Sequence, residues 1–154
     1  PVDDRPYDRL LFADLKPYRW MGQALDSVMA AHVLYPKVDS NPAGFSEHWL
    51  KKVLREELHF TGVVFSDDLS MKGAVGVGNV TQRAEAALQA GCDMLIQCND
   101  FEASDQLLAS LKFEDTAERA ERVKRLSSKG DAPTLKDLVK TALYKRSKDL
   151  IPAV

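Results

Sequence analysis

The stretch "TGVVFSDDLSMKG", residues 61–73, decides how the chain is read. An apolar run, Val63-Val64-Phe65, stops abruptly at Ser66-Asp67-Asp68-Leu69-Ser70. A short apolar run bounded by turn residues is a buried strand, here expected over Gly62–Ser66. Carboxylates placed beside such a run cost on the order of several kcal/mol unless they are paired or take part in chemistry. The question is why two aspartates stand there and whether both do the same work.

Two further apolar runs flank this one. Ser27 to Tyr35 is continuous but for His32, and Cys92 to Cys98 is of the same kind. Both read as strands buried on two faces. Helical segments separate them. Tyr7, Leu10, Leu11 and Leu15 have helical spacing that ends near Pro17, and Pro36 to Gly44 reads as a loop. Ser46 is expected to cap the next helix, with Phe45 and Leu50 as a hydrophobic staple. Trp49, Leu50, Val53, Leu54 and Leu58 form its buried stripe. Gly73, Gly76 and Gly78 mark a loop, Thr81 is expected to cap a helix over Ala84–Ala90, and Gly91 stops it. Helices are then expected at about 102–112, 115–127 and 134–149.

Strands alternating with helices imply an α/β fold, a parallel sheet covered by helices, either open or closed into a barrel. Three strands are too few for an eight-stranded barrel, which needs about 250 residues. The 154 residues therefore read as part of a larger domain.

Composition removes several function classes. Lys and Arg number 21 against 23 Asp and Glu, so no global basic field points to nucleic acid or a membrane surface. The basic run from Arg119 to Lys148 is interspersed with acidic residues and reads as a solvated face. No apolar run approaches the roughly 18 residues of a membrane span, and the first residues form no targeting segment. The chain does not begin with Met and reads as processed, cut or partial. Cys92 and Cys98 match no metal or redox spacing and are expected as buried reduced thiols.

In parallel α/β folds, chemistry gathers at the C-terminal ends of strands. That rule brings His32 and Tyr35, Asp67 and Asp68, and Asn99 and Asp100 to one rim. Neighbouring strand residues point to opposite faces, so Asp67 and Asp68 do not both enter one pocket. The pair is therefore neither a two-carboxylate metal site nor the acid and nucleophile of one glycosidase. One aspartate should be chemical and the other structural, and spacing alone does not say which. A pair of turn-capping residues also accounts for both. His32 is either a substrate-binding residue or a core histidine, while His48 and His59 sit at helix termini. A Mg²⁺-binding phosphoacceptor domain would carry its acidic pair after the first strand, whereas here a strand and two helices precede it.

The segment "LREELHFTGVVFSDDLSM" (54–71) resembles the active-site signature of the family 3 glycoside hydrolases. "AHVLYPKVDSNPAGFSEHWL" (31–50) and "AEAALQAGCDMLIQCND" (84–100) narrow the resemblance to the bacterial β-N-acetylglucosaminidases, or beta-hexosaminidases, of that family. The resemblance implies a TIM-like (β/α)8 barrel. This chain would be a partial barrel, residues 1–154 forming the C-terminal portion with a helical segment at 114–154. It implies a cytoplasmic retaining hydrolase of peptidoglycan recycling. Such an enzyme removes N-acetylglucosamine from 1,6-anhydro-N-acetylmuramoyl peptides, and its products link it to β-lactamase induction and antibiotic resistance. The first Asp after the Ser is the family nucleophile, which here is Asp67, with Asp68 its structural neighbour, and the resemblance implies no metal and no organic cofactor.

In that family the general acid/base is a His on a flexible loop, in a segment resembling Asp-Ser-His. "PVDDRPYDRLLFADLKPY" (1–18) resembles the family sequence on the C-terminal side of that loop. None of His32, His48 or His59 matches the motif, so the acid/base and most sugar-gripping residues are expected in a missing N-terminal barrel half or a partner chain. The chain alone is then expected to be inactive. The alternative is a non-catalytic α/β module that binds or assembles with a partner chain. His59 stands where the family usually has Gly, a position that often takes φ > 0, which a His can adopt at about 1 kcal/mol.

Overall fold

A computed structural model describes residues 1–127 and 130–151. Three strands, β1 (Ser27–Ala30), β2 (Val63–Asp68) and β3 (Met94–Ile96), form one sheet in the order β1-β2-β3, all parallel. The α/β class and the alternation of elements are as the sequence implies. Helices α1 (Tyr7–Phe12) and α2 (Lys16–Met21) precede β1, and a π-helix, His48–Glu57, links β1 to β2. Helices α3 (Lys72–Val75) and α4 (Val80–Ala90) link β2 to β3. After β3 come α5 (Phe101–Ser110), α6 (Ala117–Arg125), α7 (Leu135–Leu138) and α8 (Ala142–Asp149). Within the 114–154 segment, residues 128–129 and 152–154 lie outside the described residues.

The register pairs Ser27 with Val63 and Ala30 with Ser66, then Phe65 with Met94 across an irregular β2–β3 seam. Ala30, Val64 and Leu69 pack with Phe45, Leu50 and the small residues Ala84, Ala87 and Ala90 of α4 in the main core. Those alanines let the helix lie close on the sheet. The opposite face is different. Met29, the partner of Phe65, is 56% exposed. The expectation of strands buried on both faces is thus corrected for β1: Met29 stands exposed, although Val63 on β2 is fully buried and Phe65 partly so.

The first strand is also shorter than its apolar run. Beyond Ala30 the backbone finds partners other than β2. Gly44 N–H donates to Ala31 O (3.0 Å), Ala43 N–H to Val33 O (2.8 Å) and Leu34 N–H to Pro1 O (3.0 Å). Apolarity marks burial, and a packed loop whose backbone is satisfied elsewhere is as apolar as a strand.

Pro17 does not stop a helix but stands in the first turn of α2, where a missing N–H removes no bond. The cap of α4 is Asn79, not Thr81. Asn79 Oδ1 accepts from Gln82 N–H (3.0 Å) and Gln82 Oε1 accepts from Asn79 N–H (2.9 Å), a complete capping box. Thr81 Oγ1 instead meets Ser110 Oγ of α5 at 2.8 Å. Gly73, expected in a loop, lies within α3. The long helix expected at 134–149 is broken into α7 and α8. Ser46 does cap, its Oγ accepting from Trp49 N–H at 3.1 Å. His59 does take the left-handed region, at φ 54°.

The N-terminal end of the sheet is held by charge. The Asp93 side chain is 1% exposed, and its carboxylate accepts from Arg55 (2.8 Å), Arg122 (2.7 Å) and Val64 N–H (2.9 Å). Arg122 lies on α6, and Arg125 of the same helix donates to Thr61 O at 2.8 Å. Replacing Asp93 strands two guanidinium groups and a buried N–H. Asp93→Ala should therefore lose about 3–5 kcal/mol in urea unfolding, and a loss under about 1 kcal/mol would show that the cluster is peripheral. His59→Gly should instead gain about 0.5–1 kcal/mol by removing the left-handed strain.

Candidate active site at the C-terminal edge of the sheet

β2 continues through both aspartates, but its register against β3 shifts between Phe65 and Asp68. Val64 and Ser66 are fully buried, whereas Asp67 and Asp68 are partly buried.

The two carboxylates have very different surroundings. Asp68 accepts from Ser70 N–H (2.9 Å), Ser70 Oγ–H (2.6 Å) and Cys98 N–H (3.0 Å). Burial alone would raise its pKa, but the donors from Ser70 and Cys98 outweigh burial and hold it below the usual carboxylate range. Asp67 is partly buried, and among the described residues its carboxylate takes one hydrogen bond, from Asp68 N–H to Oδ1 at 2.9 Å. One aspartate is committed to the backbone and the other is available.

Further bonds fix the loop after β2. Leu69 N–H donates to Ile96 O (2.8 Å), and Ile96 N–H donates to Ser66 Oγ (3.0 Å). Arg83, on α4, donates to Leu69 O (2.8 Å) and Gly78 O (2.6 Å), closing the loop on the helix. Sequence reasoning missed Arg83. Its only signal was a lone cation in the first turns of an otherwise small-residue helix.

The other candidates are placed unequally. His32 is 3% exposed, its ring stacked on Phe45 at 4.7 Å and 4°. Burial pushes its pKa below the usual value, partly opposed by the charge of Asp67. Among the described residues neither ring nitrogen has a hydrogen-bond partner. Tyr35, expected at the rim, turns instead onto Trp49 (4.9 Å) in the second core cluster with Leu10 and Val53. Asn99 is exposed at the end of β3 with φ 59°, and Asp100 caps α5 by accepting from Ala103 N–H at 2.9 Å. His48 and His59 are exposed on and just after the π-helix. Cys92 is buried, with its thiol pushed up to about 12 by burial, while Cys98 is only partly buried and both are free.

A cavity of about 400 Å³ opens beside β1, lined among others by Leu10, Tyr18, Met29, Tyr35 and Trp49. Asp67 does not line it, so this apolar hollow and the free carboxylate are separate features. Among the described residues no group of three His, Cys, Asp or Glu is placed to hold a metal. No helix among them is long and apolar enough to cross a membrane.

The geometry is a strand-end carboxylate in a family-like sequence, and comparison with known proteins gives it a frame. Residues 1–128 match the glycosyl hydrolase family 3 N terminal domain. The chain is 53% identical over 127 residues to the beta-hexosaminidase of Methylobacillus flagellatus, covering 82% of this chain and 36% of that protein. It is 47% identical over 151 residues to the beta-hexosaminidase of Bordetella parapertussis, covering 97% of this chain and 43% of that one. Among solved structures it is similar to NagZ from Neisseria gonorrhoeae in complex with N-trifluoroacetyl-D-glucosamine. The TM-score there is 0.85 at 36% identity, over 97% of this chain and 43% of that one. It is also similar to the beta-N-acetylglucosaminidase from Thermotoga maritima, with TM-score 0.67 at 30% identity, over 81% and 30% of the two chains. The chain thus spans less than half the length of these relatives. A family match from residue 1 to residue 128 covers most of the chain, which therefore belongs to glycosyl hydrolase family 3.

Proposed function

We propose that this chain supplies the nucleophile of a retaining β-N-acetylhexosaminidase and that the nucleophile is Asp67. One observation carries the assignment. Of the two strand-end carboxylates, Asp68 is saturated by three backbone and hydroxyl donors, whereas among the described residues Asp67 accepts one hydrogen bond. A carboxylate suits the step, because it attacks the anomeric carbon as oxocarbenium character develops. The bond from that carbon to the leaving oxygen breaks, an ester to Asp67 forms, and water then hydrolyses it with overall retention.

In this reading the substrate is an N-acetylglucosaminyl-1,6-anhydro-N-acetylmuramoyl peptide, and the role is peptidoglycan recycling in the cytoplasm. The acid that protonates the leaving oxygen comes from outside these residues. The three parallel strands belong to a TIM-like barrel of which this chain forms the C-terminal portion, and the uncovered Met29–Phe65 face supports a wall still to be closed by further protein. The beta-hexosaminidase names of the relatives support the reaction class.

Hydrolysis of 4-methylumbelliferyl N-acetyl-β-glucosaminide tests the reading. The 154 residues alone should show no turnover. In the full-length protein, Asp67→Ala should lower kcat by about 10³–10⁵-fold. Asp68→Ala should lower it less while also lowering the melting temperature, since it removes a structural anchor. A fluorosugar trap should add mass to the peptide holding Asp67, and label on Asp68 instead would sink the assignment.

A further inference from the structure

We propose that Arg83 of α4 is a positioning residue for Asp67, its guanidinium clamping together the two ends of the loop that follows β2. The inference rests on reading Asp67 as the nucleophile.

The side chain reaches both ends of that loop at once. Nη1–H donates to Leu69 O at 2.8 Å and Nε–H to Gly78 O at 2.6 Å, so one planar group joins the first and last residues of 69–78. Other backbone bonds run within the loop, from Ala74 N–H to Met71 O, Val77 N–H to Ala74 O and Gly78 N–H to Val75 O. They shape the loop without fixing its entry.

That entry lies two residues past Asp67. The Asp67 carboxylate accepts from Asp68 N–H at 2.9 Å, so its direction follows the backbone at 67–68. Leu69 comes next and is fully buried. Its N–H donates to Ile96 O of β3 at 2.8 Å, and its C=O accepts from Arg83. β3 thus holds one side of the residue and α4 the other. Without Arg83 the carbonyl side is free to turn, and planar peptide bonds carry that turn back along the chain to Asp67.

The helix itself has no use for a cation there. α4 begins at Val80, so Arg83 stands in the first turns, where the positive end of the helix dipole disfavours a basic group. The terminus is already closed by the Asn79–Gln82 capping box. Among the described residues the partly buried Arg83 pairs with no carboxylate, and its two bonds go to the loop carbonyls. Ordering so long a side chain costs rotamer freedom. A lysine would bring the charge, but only the planar guanidinium offers several donors in fixed directions. The loop, not the helix, accounts for an arginine at this position.

The test uses the full-length protein with Arg83→Met, which keeps a long stem and removes every donor, and Arg83→Lys, which keeps the charge. Both kcat and the rate at which a fluorosugar labels Asp67 should fall about 10–100-fold in Arg83→Met. KM should stay within about threefold, with partial recovery of kcat in Arg83→Lys. Undiminished kcat and labelling in a folded Arg83→Met would show that the clamp serves stability alone. A raised KM with unchanged kcat would give the loop a part in binding substrate, and either result overturns the inference. Label on another residue in the parent protein overturns the nucleophile reading and this inference together, a pattern distinct from the other two. Should neither variant fold, ¹⁵N spectra of the parent guanidinium decide. A slowly exchanging Nε–H is expected both before and after the fluorosugar is trapped, and rapid exchange in either state would overturn the proposal.

Discussion

The carboxylate of Asp68 holds the working end of the sheet together. Its three donors come from its own turn and from the end of β3, at Cys98. A charged group at a strand end must be compensated, and here fixed backbone dipoles do it without a cation. The anchoring staples the ends of β2 and β3 around the pair Asp68–Ile96, just past the stretch where the register shifts.

That arrangement explains why a pair of adjacent aspartates is useful although the two cannot share a pocket. A lone aspartate at a strand end would have to choose between saturating loop donors and remaining available. The doublet separates the jobs, and Arg83 extends the anchoring from Leu69 O to Gly78 O so that the whole loop is tied to α4.

The apolar runs marked all three strands. Ser46 as a cap and the left-handed His59 were equally readable, since each is a local matter of one side chain or one φ. What failed was mostly decided by partners distant in sequence. The run Ser27–Tyr35 ends as a strand at Ala30 because Pro1 and the loop at 43–44 take its backbone, which no periodicity records. The cap of α4 was local and still missed: Asn79 and Gln82 spell a capping box that Thr81 obscured. The burial of His32 was not readable either: the ladder stops at Ala30, and its ring packs on Phe45 with 3% of the residue exposed.

The two ends of the sheet solve different problems. At the N-terminal end, Asp93 is fully neutralised by Arg55 and Arg122, which fastens α6 to the sheet; such buried ion clusters fix one arrangement more than they add stability. At the C-terminal end, among the described residues, Asp67 accepts one hydrogen bond and forms no ion pair. Under the proposed nucleophile role, a retaining glycosidase needs a second catalytic group about 5 Å from it. His32 is buried against Phe45, and His48 and His59 sit on and just after the π-helix, so the proposed role calls for a residue outside these three as that group.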